Sequence, residues 1–289
     1  MKCAITGANG YVGSRVVRYF ERRGWEILEL GRRPSSANAR FVPYTLAAEL
    51  GPDILRGVDA LVHCAYDFRP ARREEIFTVN VDGSRRLFAA AASAGVGRIV
   101  LISSLSAYDG CASLYGQAKL AIEAEAFRHG GAAVRPGLVF GDEPGGMVGT
   151  LSKLAGLSPI LPVIGENQRM YACHEDDLAH VAFRAASGML KDISKPLIAA
   201  SPEPLTFGEI LRELGRRRGR EPVLISLSWR AAWAALKSAE ALGLQIGLRS
   251  DSLISLMNPD PAPDFGTQEH LGLRFRGFLS YGRNNSRRV

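Results

Sequence analysis

A chain of 289 residues, 46% of them hydrophobic, can bury a full core as one large domain or as one domain with a smaller appendage. It contains no apolar run of about 18 residues, so no transmembrane helix is expected. The net charge is +7, but much of the excess lies in an arginine cluster at 216–220 and at the C-terminal end, without interleaved aromatic residues. We therefore expect no nucleic-acid partner.

The start of the chain and the cysteines bear on location and metal binding. The first predicted strand begins at Lys2, which leaves no room for a signal peptide, so a cytoplasmic protein is expected. The four cysteines stand far apart, with no Cys-x-x-Cys pair and no histidines at metal-ligand spacing: Cys3, Cys64, Cys111 and Cys173. We expect them to be reduced and structural, and we predict no metal site.

The first element is a short buried strand followed by a glycine-rich turn. Lys2–Thr6 is the predicted strand, and an amphipathic helix runs from the turn to about Gly24. The turn reads Gly7-Ala8-Asn9-Gly10-Tyr11-Val12-Gly13. Glycines allow a tight turn and close approach of the backbone to a pyrophosphate, and the helix N-terminus offers free N–H groups. This pattern predicts a dinucleotide site.

The end of the second strand carries information on the cofactor. Trp25–Leu30 is the predicted strand, and Gly31, Arg32 and Arg33 follow it. An acidic residue at this point would accept hydrogen bonds from the ribose 2′-OH of NAD, whereas a guanidinium suits the 2′-phosphate of NADP. NADP is therefore favoured over NAD.

Two further strands and a long helix follow. A weak third strand is predicted at 41–44 and a strong fourth strand at 59–65, with His63 as a packing residue rather than a catalyst. The loop from Tyr66 leaves the carboxyl end of the sheet, where ligands of such sheets bind. A helix is predicted from Arg72 to Ala94.

The fifth strand and the next helix carry the candidate catalytic groups. The strand at 98–103 delivers Ser104, and the helix at 113–128 carries Tyr115 and Lys119. Positions four apart lie on one face of a helix, so the hydroxyl and the ammonium can share one space. A nearby cation favours the phenolate and moves the phenol pKa toward neutrality. This pair predicts proton transfer to or from a substrate oxygen.

The remaining pattern defines the fold class. A sixth strand at 132–135 is closed by Pro136 and Gly137, and the alternation of strands and helices predicts a doubly wound parallel sheet of the Rossmann type. We predict a nucleotide-binding domain at 1–188, with 142–169 contributing to the substrate side as a lid or loop. A small C-terminal α/β substrate-binding part is predicted at 189–289, with a flexible tail from about 277.

Two local patterns stand out in this second part. Thr206 and Glu209 form a predicted capping box before an apolar helix. Trp229, Trp233 and Leu236 share one helical face, which indicates a core or interface stripe, with a membrane-surface helix as the alternative.

In combination these residues resemble the short-chain dehydrogenase/reductase superfamily, in its extended branch, the NAD-dependent epimerase/dehydratase family. The resemblance rests on the segments 6–13, 63–65, 80–84, 103–104, 115–119 and 135–141. It implies that Ser104 holds the substrate oxygen, that Tyr115 is the acid-base, and that Lys119 binds the nicotinamide ribose and lowers the Tyr115 pKa. Family members often dimerise through two long helices, here 72–94 and 113–128, so a homodimer is expected.

The predicted cofactor contacts come from the glycine turn, from the ends of the second, fourth, fifth and sixth strands, and from the helices at 72–94 and 113–128. They are Gly7, Asn9, Gly10, Tyr11, Val12, Gly13, Arg32, Arg33, Cys64, Ala65, Tyr66, Asn80, Ser103, Tyr115, Lys119, Pro136, Gly137 and Val139.

The leading hypothesis is an NADP-dependent oxidoreductase acting on a small molecule, with a nucleotide-linked sugar as the first expectation for the substrate. A steroid-like or phenolic ketone is the alternative substrate class, and dehydratase chemistry is an alternative reaction. A catalytically silent, NADP-binding sensor or scaffold is the alternative from a different class.

Overall fold

The computed structural model describes residues 1–35, 39–143, 145–190, 195–242 and 249–280. The strands in this part of the chain are β1 (Lys2–Thr6), β2 (Glu26–Gly31), β3 (Arg40–Pro43), β4 (Ala60–His63), β5 (Arg98–Ile102), β6 (Ala132–Pro136), β7 (Leu138–Phe140), β8 (Ile160–Val163), β9 (Arg169–Met170), β10 (Ala172–His174), β11 (Leu197–Ala199), β12 (Leu205–Thr206) and β13 (Val223–Ser226). The helices are α1 (Tyr11–Glu21), α2 (Arg73–Ile76), α3 (Gly83–Ser93), α4 (Leu114–Arg128), α5 (Gly146–Leu157), α6 (Glu175–Ala186), α7 (Phe207–Arg216), α8 (Trp229–Ala241), α9 (Ser250–Met257) and α10 (Gly266–His270).

The central sheet confirms the predicted fold class. Among the described residues it has seven strands in the order β11-β6-β5-β4-β1-β2-β3. Each neighbouring pair is parallel. The chain starts in the middle of the sheet and winds outward in both directions, so the strand order reverses between β1 and β4. In sheets of this kind, ligands bind outside the carboxyl ends of the strands at such a switch point.

Apolar side chains cover both faces of the sheet. On one face, Ile5 and Val62 pack with Val16 of α1 and Val181 of α6. On the other face, Leu61 packs in a cluster with residues of α3 and α4 that include Phe88 and Ile122. Burial on both faces explains why the strands are continuous apolar runs rather than alternating ones. Packing on both faces fixes the positions of the strands, and so of their carboxyl ends.

The predicted helix at 72–94 differs in detail. It consists of α2, a wider π-helical stretch at Phe77–Asp82, and α3. The buried Asn80 lies in the wider stretch, and its side chain bonds to the Asp67 amide and to the Ile76 carbonyl. Insertions of this type occur often at functional sites.

Smaller elements build the C-terminal part. Two-residue and four-residue strands pair as β12 with β9 and β13 with β8, and a third apolar cluster joins α5 to α7. The predicted capping box is confirmed, with reciprocal bonds between Thr206 and Glu209 at the start of α7. In the predicted lid region, residues 146–157 form α5, while Pro144 lies outside the described residues. Residues 281–289, most of the predicted flexible tail, also lie outside them.

None of the helices in the described part of the chain is both long enough and apolar enough to cross a bilayer.

Candidate active site

The glycine turn between β1 and α1 is built around close backbone contacts. Gly7 has a φ of +68°, and a Cβ atom added there would lie 2.9 Å from the Ala65 amide nitrogen. A Cβ at Gly13 would lie 2.1 Å from the Gly7 carbonyl oxygen. Helix α1 starts after Gly10 with no acidic residue in its first turn, so its partial positive charge is not neutralised locally.

The adjoining end of β2 presents two exposed arginines, Arg32 and Arg33. The loop that carries them is anchored from inside, because the buried Glu29 carboxylate accepts hydrogen bonds from the Ser35 amide at 2.7 Å and from the Ser35 hydroxyl. Arg32 also contributes to lowering the pKa of the Asp67 carboxyl, after the larger effect of the Arg69 hydrogen bond. The positive charge of Arg32, at the end of β2, therefore acts on a carboxylate in the loop after β4.

Buried side chains at the ends of β1 and β4 form a hydrogen-bond chain that also includes α3. The Thr6 hydroxyl accepts from the amides of Cys64 and Ala65, both at 3.2 Å. It contacts His63 Nδ1 at 2.7 Å, and His63 Nε2 contacts the Ser84 hydroxyl at 2.9 Å. Burial lowers the pKa of His63 to about 3, which keeps the ring neutral. Its position deep in the sheet fits the predicted packing role.

Asn80 holds the loop that follows β4. Its Oδ1 accepts from the Asp67 amide at 2.7 Å, and its Nδ2 donates to the carbonyls of Asp67 at 3.1 Å and Ile76 at 3.2 Å. The structure thus gives Asn80 a role in shaping the loop, and its predicted contact with a cofactor stays a prediction.

Ser104, Tyr115 and Lys119 come together where β5 ends. The Tyr115 side chain hydrogen bonds to that of Ser104. The Lys119 ammonium is buried and donates to the Ile102 carbonyl at 2.9 Å. It also lies 5.2 Å from the centre of the Tyr66 ring, which in turn meets the Tyr115 ring edge-on at 5.0 Å. Three elements therefore place the predicted catalytic groups around one space.

The proton affinities of this group differ from the prediction. We predicted a Tyr115 pKa lowered by Lys119, but burial raises it to about 12 and the lowering influence is the Ser104 hydrogen bond. Burial lowers the pKa of Lys119 to about 8. Withdrawal from water disfavours both the phenolate and the ammonium. Tyr115 is consequently protonated at neutral pH and can donate a proton.

Ser103 hydrogen bonds to an ion pair between Glu123 and Arg135 that the sequence analysis did not predict. Its hydroxyl donates to the Glu123 carboxylate, which also receives bonds from Arg135 Nε at 2.8 Å and Nη2 at 2.6 Å. Glu123 follows Lys119 by one helical turn, a spacing that places it on the same face. The sequence does not show that Arg135, on a different element, would complete the pair.

The remaining predicted cofactor residues line the neighbouring strand ends. The Pro136 carbonyl accepts from the Leu105 amide at 3.1 Å, and Val139 pairs with Cys173 in the β7–β10 ladder. A Cβ at Gly137 would lie 2.1 Å from the Tyr171 carbonyl oxygen, so this position requires glycine. Cys64 follows β4, and as a residue it is partly exposed. Its thiol is withdrawn from water, which raises the thiol pKa to about 12 and makes it unreactive.

An aromatic group borders the catalytic hydroxyl on the solvent side. Phe68 stacks on the Tyr115 ring at 5.7 Å with an interplanar angle of 24°, and it meets Tyr66 at 4.8 Å. The Phe68 side chain is 62% exposed. A large apolar side chain therefore stays in contact with solvent beside the Tyr115 ring.

These residues fit a nicotinamide dinucleotide. The crowded glycine turn leads the backbone to an uncapped helix N-terminus, which suits a pyrophosphate. The buried Lys119 ammonium bonds to the Ile102 carbonyl and has three N–H donors, so it retains donors for a ribose hydroxyl. Among the described residues, no cluster of His, Cys, Asp and Glu is suited to hold a metal ion.

Fold and site together define a nucleotide-binding enzyme of the oxidoreductase or epimerase class. The chain belongs to the NAD dependent epimerase/dehydratase family, which matches residues 3–188. The predicted family resemblance is thereby confirmed.

Three relatives show how far the similarity extends. Ceramide reductase of Caulobacter vibrioides is 31% identical over 239 residues, which are 78% of this chain and 73% of that protein. Sterol demethylase protein B of Methylococcus capsulatus is 36% identical over 119 residues, 37% of this chain and 35% of that protein. The solved structure of MoeE5 in complex with UDP-glucose and NAD has a TM-score of 0.73 at 23% identity and covers 98% of this chain and 96% of its own.

Proposed function

We propose that the protein is an NADP-dependent reductase of an apolar ketone, or the corresponding alcohol dehydrogenase. The observation that carries this proposal is a protonated Tyr115, hydrogen bonded to Ser104 and stacked against the exposed Phe68. This arrangement offers two hydroxyls to one substrate oxygen and an aromatic surface to the carbon skeleton beside it.

Each catalytic side chain has a separate task in this reaction. A bound nicotinamide supplies the hydride for reduction or accepts it in oxidation. Ser104 holds the substrate oxygen through its hydroxyl, and Tyr115 donates its phenolic proton to that oxygen as negative charge develops there. Lys119, fixed by the Ile102 carbonyl, contributes positive charge next to the ring of Tyr66. The hydrogen bond from Ser104, which acts to lower the Tyr115 pKa, favours the phenolate that remains on Tyr115 after proton transfer.

The apolar substrate is supported by the aromatic entrance and by the relatives. Phe68 is exposed, and both it and Tyr66 contact the Tyr115 ring, so together they offer an aromatic surface on which an apolar skeleton can pack. The similarity to a ceramide reductase over 78% of this chain supports the same class of substrate.

A nucleotide-linked sugar is the second candidate, favoured by the match of residues 3–188 to the epimerase/dehydratase family. The two candidates differ in their net chemistry. Epimerisation returns the hydride to the carbon that lost it, so it leaves the cofactor unchanged, whereas ketone reduction consumes NADPH in a one-to-one ratio.

The test is to follow NADPH absorbance with a panel of long-chain and steroid ketones, and separately to analyse UDP-sugars for epimers. We expect NADPH consumption with an apolar ketone. Tyr115→Phe should lower turnover by about 100-fold or more, because the proton donor is lost, while NADPH binding persists. Tyr19→Phe, on the side of α1 that contacts His180 and Phe183 of α6, is the matched control and should retain activity. Full activity in Tyr115→Phe would refute the mechanism, and cofactor binding without any turnover would favour the silent scaffold.

A further inference from the structure

The helix that carries Tyr115 receives its N-terminal caps from two parts of the chain. Ser113 supplies a local one, since its hydroxyl accepts from the Gly116 amide at 3.1 Å. The amides of Leu114 and Tyr115 instead donate to the two carboxylate oxygens of Asp251, at 2.7 Å and 3.0 Å. Asp251 belongs to α9 and follows Leu114 by 137 residues.

Helix α9 also holds the loop that carries Ser104, here called the serine loop (residues 104–108). The Ser255 hydroxyl contacts that of Ser106 at 2.9 Å, and the Asn258 carbonyl accepts from the Tyr108 hydroxyl at 2.9 Å. One helix of the C-terminal part therefore touches both elements that supply the catalytic hydroxyls.

The start of α9 is itself fixed in place. The Glu240 carboxylate accepts from the Ser250 amide and hydroxyl, both at 2.8 Å. Arg249 donates to the carbonyls of Phe68 at 2.5 Å and Pro70 at 2.8 Å. The two residues before Asp251 are therefore held by hydrogen bonds, and one of them, Arg249, also binds the backbone at Phe68.

We propose that Asp251 is a positioning residue for the reaction, and that it sets the distance between the Tyr115 hydroxyl and the Ser104 hydroxyl. A carboxylate that accepts two amide bonds at a helix N-terminus is favoured by the helix dipole and fixes the first turn. Because Tyr115 is in that turn, movement of Asp251 moves the acid-base. This inference rests on the proposed function.

The experiment compares Asp251→Ala, Asp251→Asn and the wild type in NADPH-dependent ketone reduction. We expect kcat to fall by about 10- to 100-fold in Asp251→Ala, because a small displacement of a catalytic group has effects of this size. The dissociation constant of NADPH should change little. Asparagine retains one of the two acceptors and is a favourable cap, so Asp251→Asn should recover part of the lost kcat.

The matched control is Asp264→Ala, which removes another carboxylate bound to a backbone amide, that of Gly266 at 2.9 Å at the start of α10. It should keep the wild-type kcat. Wild-type kcat in Asp251→Ala would overturn the proposal, as would an equal loss in the control.

A second readout separates this inference from the proposed function. Hydrogen exchange at the Leu114 and Tyr115 amides should accelerate in Asp251→Ala and stay slow in the control, whether or not a substrate has been found. If the wild type reduces no ketone but this exchange pattern holds, the proposed function fails and the placement of Tyr115 by Asp251 stands. Unchanged exchange at both amides would refute the placement itself.

Discussion

Glu29 is the residue on which the expected choice between NAD and NADP depends. It is an acid in the second strand, close to where NAD-binding proteins carry a carboxylate for the ribose. Here it is fully buried, and both of its oxygens are engaged by Ser35. The exposed groups at the strand end are the guanidinium groups of Arg32 and Arg33, which suit a phosphate.

We therefore expect tighter binding of NADPH than of NADH, and we expect Arg32→Ala or Arg33→Ala to weaken NADPH binding by about 10-fold or more through the loss of a charge-assisted bond. NADH binding should be nearly unchanged. Fluorescence titration of each variant with both cofactors measures this. Arg22→Ala, an exposed arginine at the end of α1, is the control, and equal affinity of the wild type for both cofactors would contradict the 2′-phosphate argument.

For single residues, the sequence predicted that Tyr115 and Lys119 lie close together, but it did not predict their hydrogen-bond partners or the direction of the Tyr115 pKa shift. Helical spacing placed Tyr115 and Lys119 on one face. It could not show that Lys119 bonds to the Ile102 carbonyl, because that contact depends on the packing of α4 against β5. For the same reason the rise in the Tyr115 pKa was missed, since burial is a property of the folded chain.

Among the elements, α4 depends on a close approach to the serine loop. Gly116, directly after Tyr115, is buried, and a Cβ there would lie 2.2 Å from the Ser106 carbonyl oxygen. Backbone cannot yield at this contact without separating the helix from the loop. The glycine therefore sets how near Tyr115 can come to Ser104.

Replacing Gly116 by alanine should lower the free energy of unfolding by about 1–3 kcal/mol through overpacking. It should also reduce kcat, because the helix is pushed away from the loop. Gly51→Ala is the control, since Gly51 has a φ of −64° and no atom within 4 Å of an added Cβ. Urea unfolding and ketone reduction check the two effects, and a Gly116→Ala protein with wild-type stability would contradict the close contact.

The elements themselves were largely predictable. Apolar runs predicted six of the seven strands of the sheet, all but β11, and the capping box predicted the start of α7. The bond from Asp251 to the start of α4 was not predictable, because a carboxylate 137 residues away carries no local signal. The π-helical stretch between α2 and α3 was missed because its side-chain pattern is close to that of an ordinary helix.

For the molecule as a whole, stability depends on charges buried near the site. The Lys119 pKa is about 8 in the folded protein, against an ordinary 10.5. Between these values the unfolded chain binds a proton that the folded chain does not. The free energy of unfolding therefore gains from this residue as pH rises from about 8 toward 10.5, and below pH 8 the folded protein bears the full cost of the buried charge.

Lys119→Met should remove this pH dependence. Its stability relative to the wild type should be greatest near pH 7.5 and should decline by up to about 3 kcal/mol toward higher pH. Urea unfolding at about pH 7.5 and about pH 9.5 measures the difference. Lys153→Met, on the exposed side of α5, is the control, and an equal stability difference at the two pH values would contradict a lowered Lys119 pKa.

The homodimer through helices 72–94 and 113–128 stays a prediction at this scale. Ala89 and Ala92 of α3 and Ala124 of α4 are exposed, which leaves small side chains on the surface that the family resemblance assigns to the partner.

The origin of the cap on α4 also orders events during synthesis. The glycine turn and the first six strands of the parallel sheet lie within the first 136 residues, and domains generally form in the order in which they leave the ribosome. Asp251 emerges more than a hundred residues later, and until then the first turn of α4 lacks two of its acceptors. We therefore expect the growing chain to form its glycine turn and most of its sheet before Asp251 can fix the first turn of α4. The candidate cofactor site would then form earlier than the final placement of Tyr115.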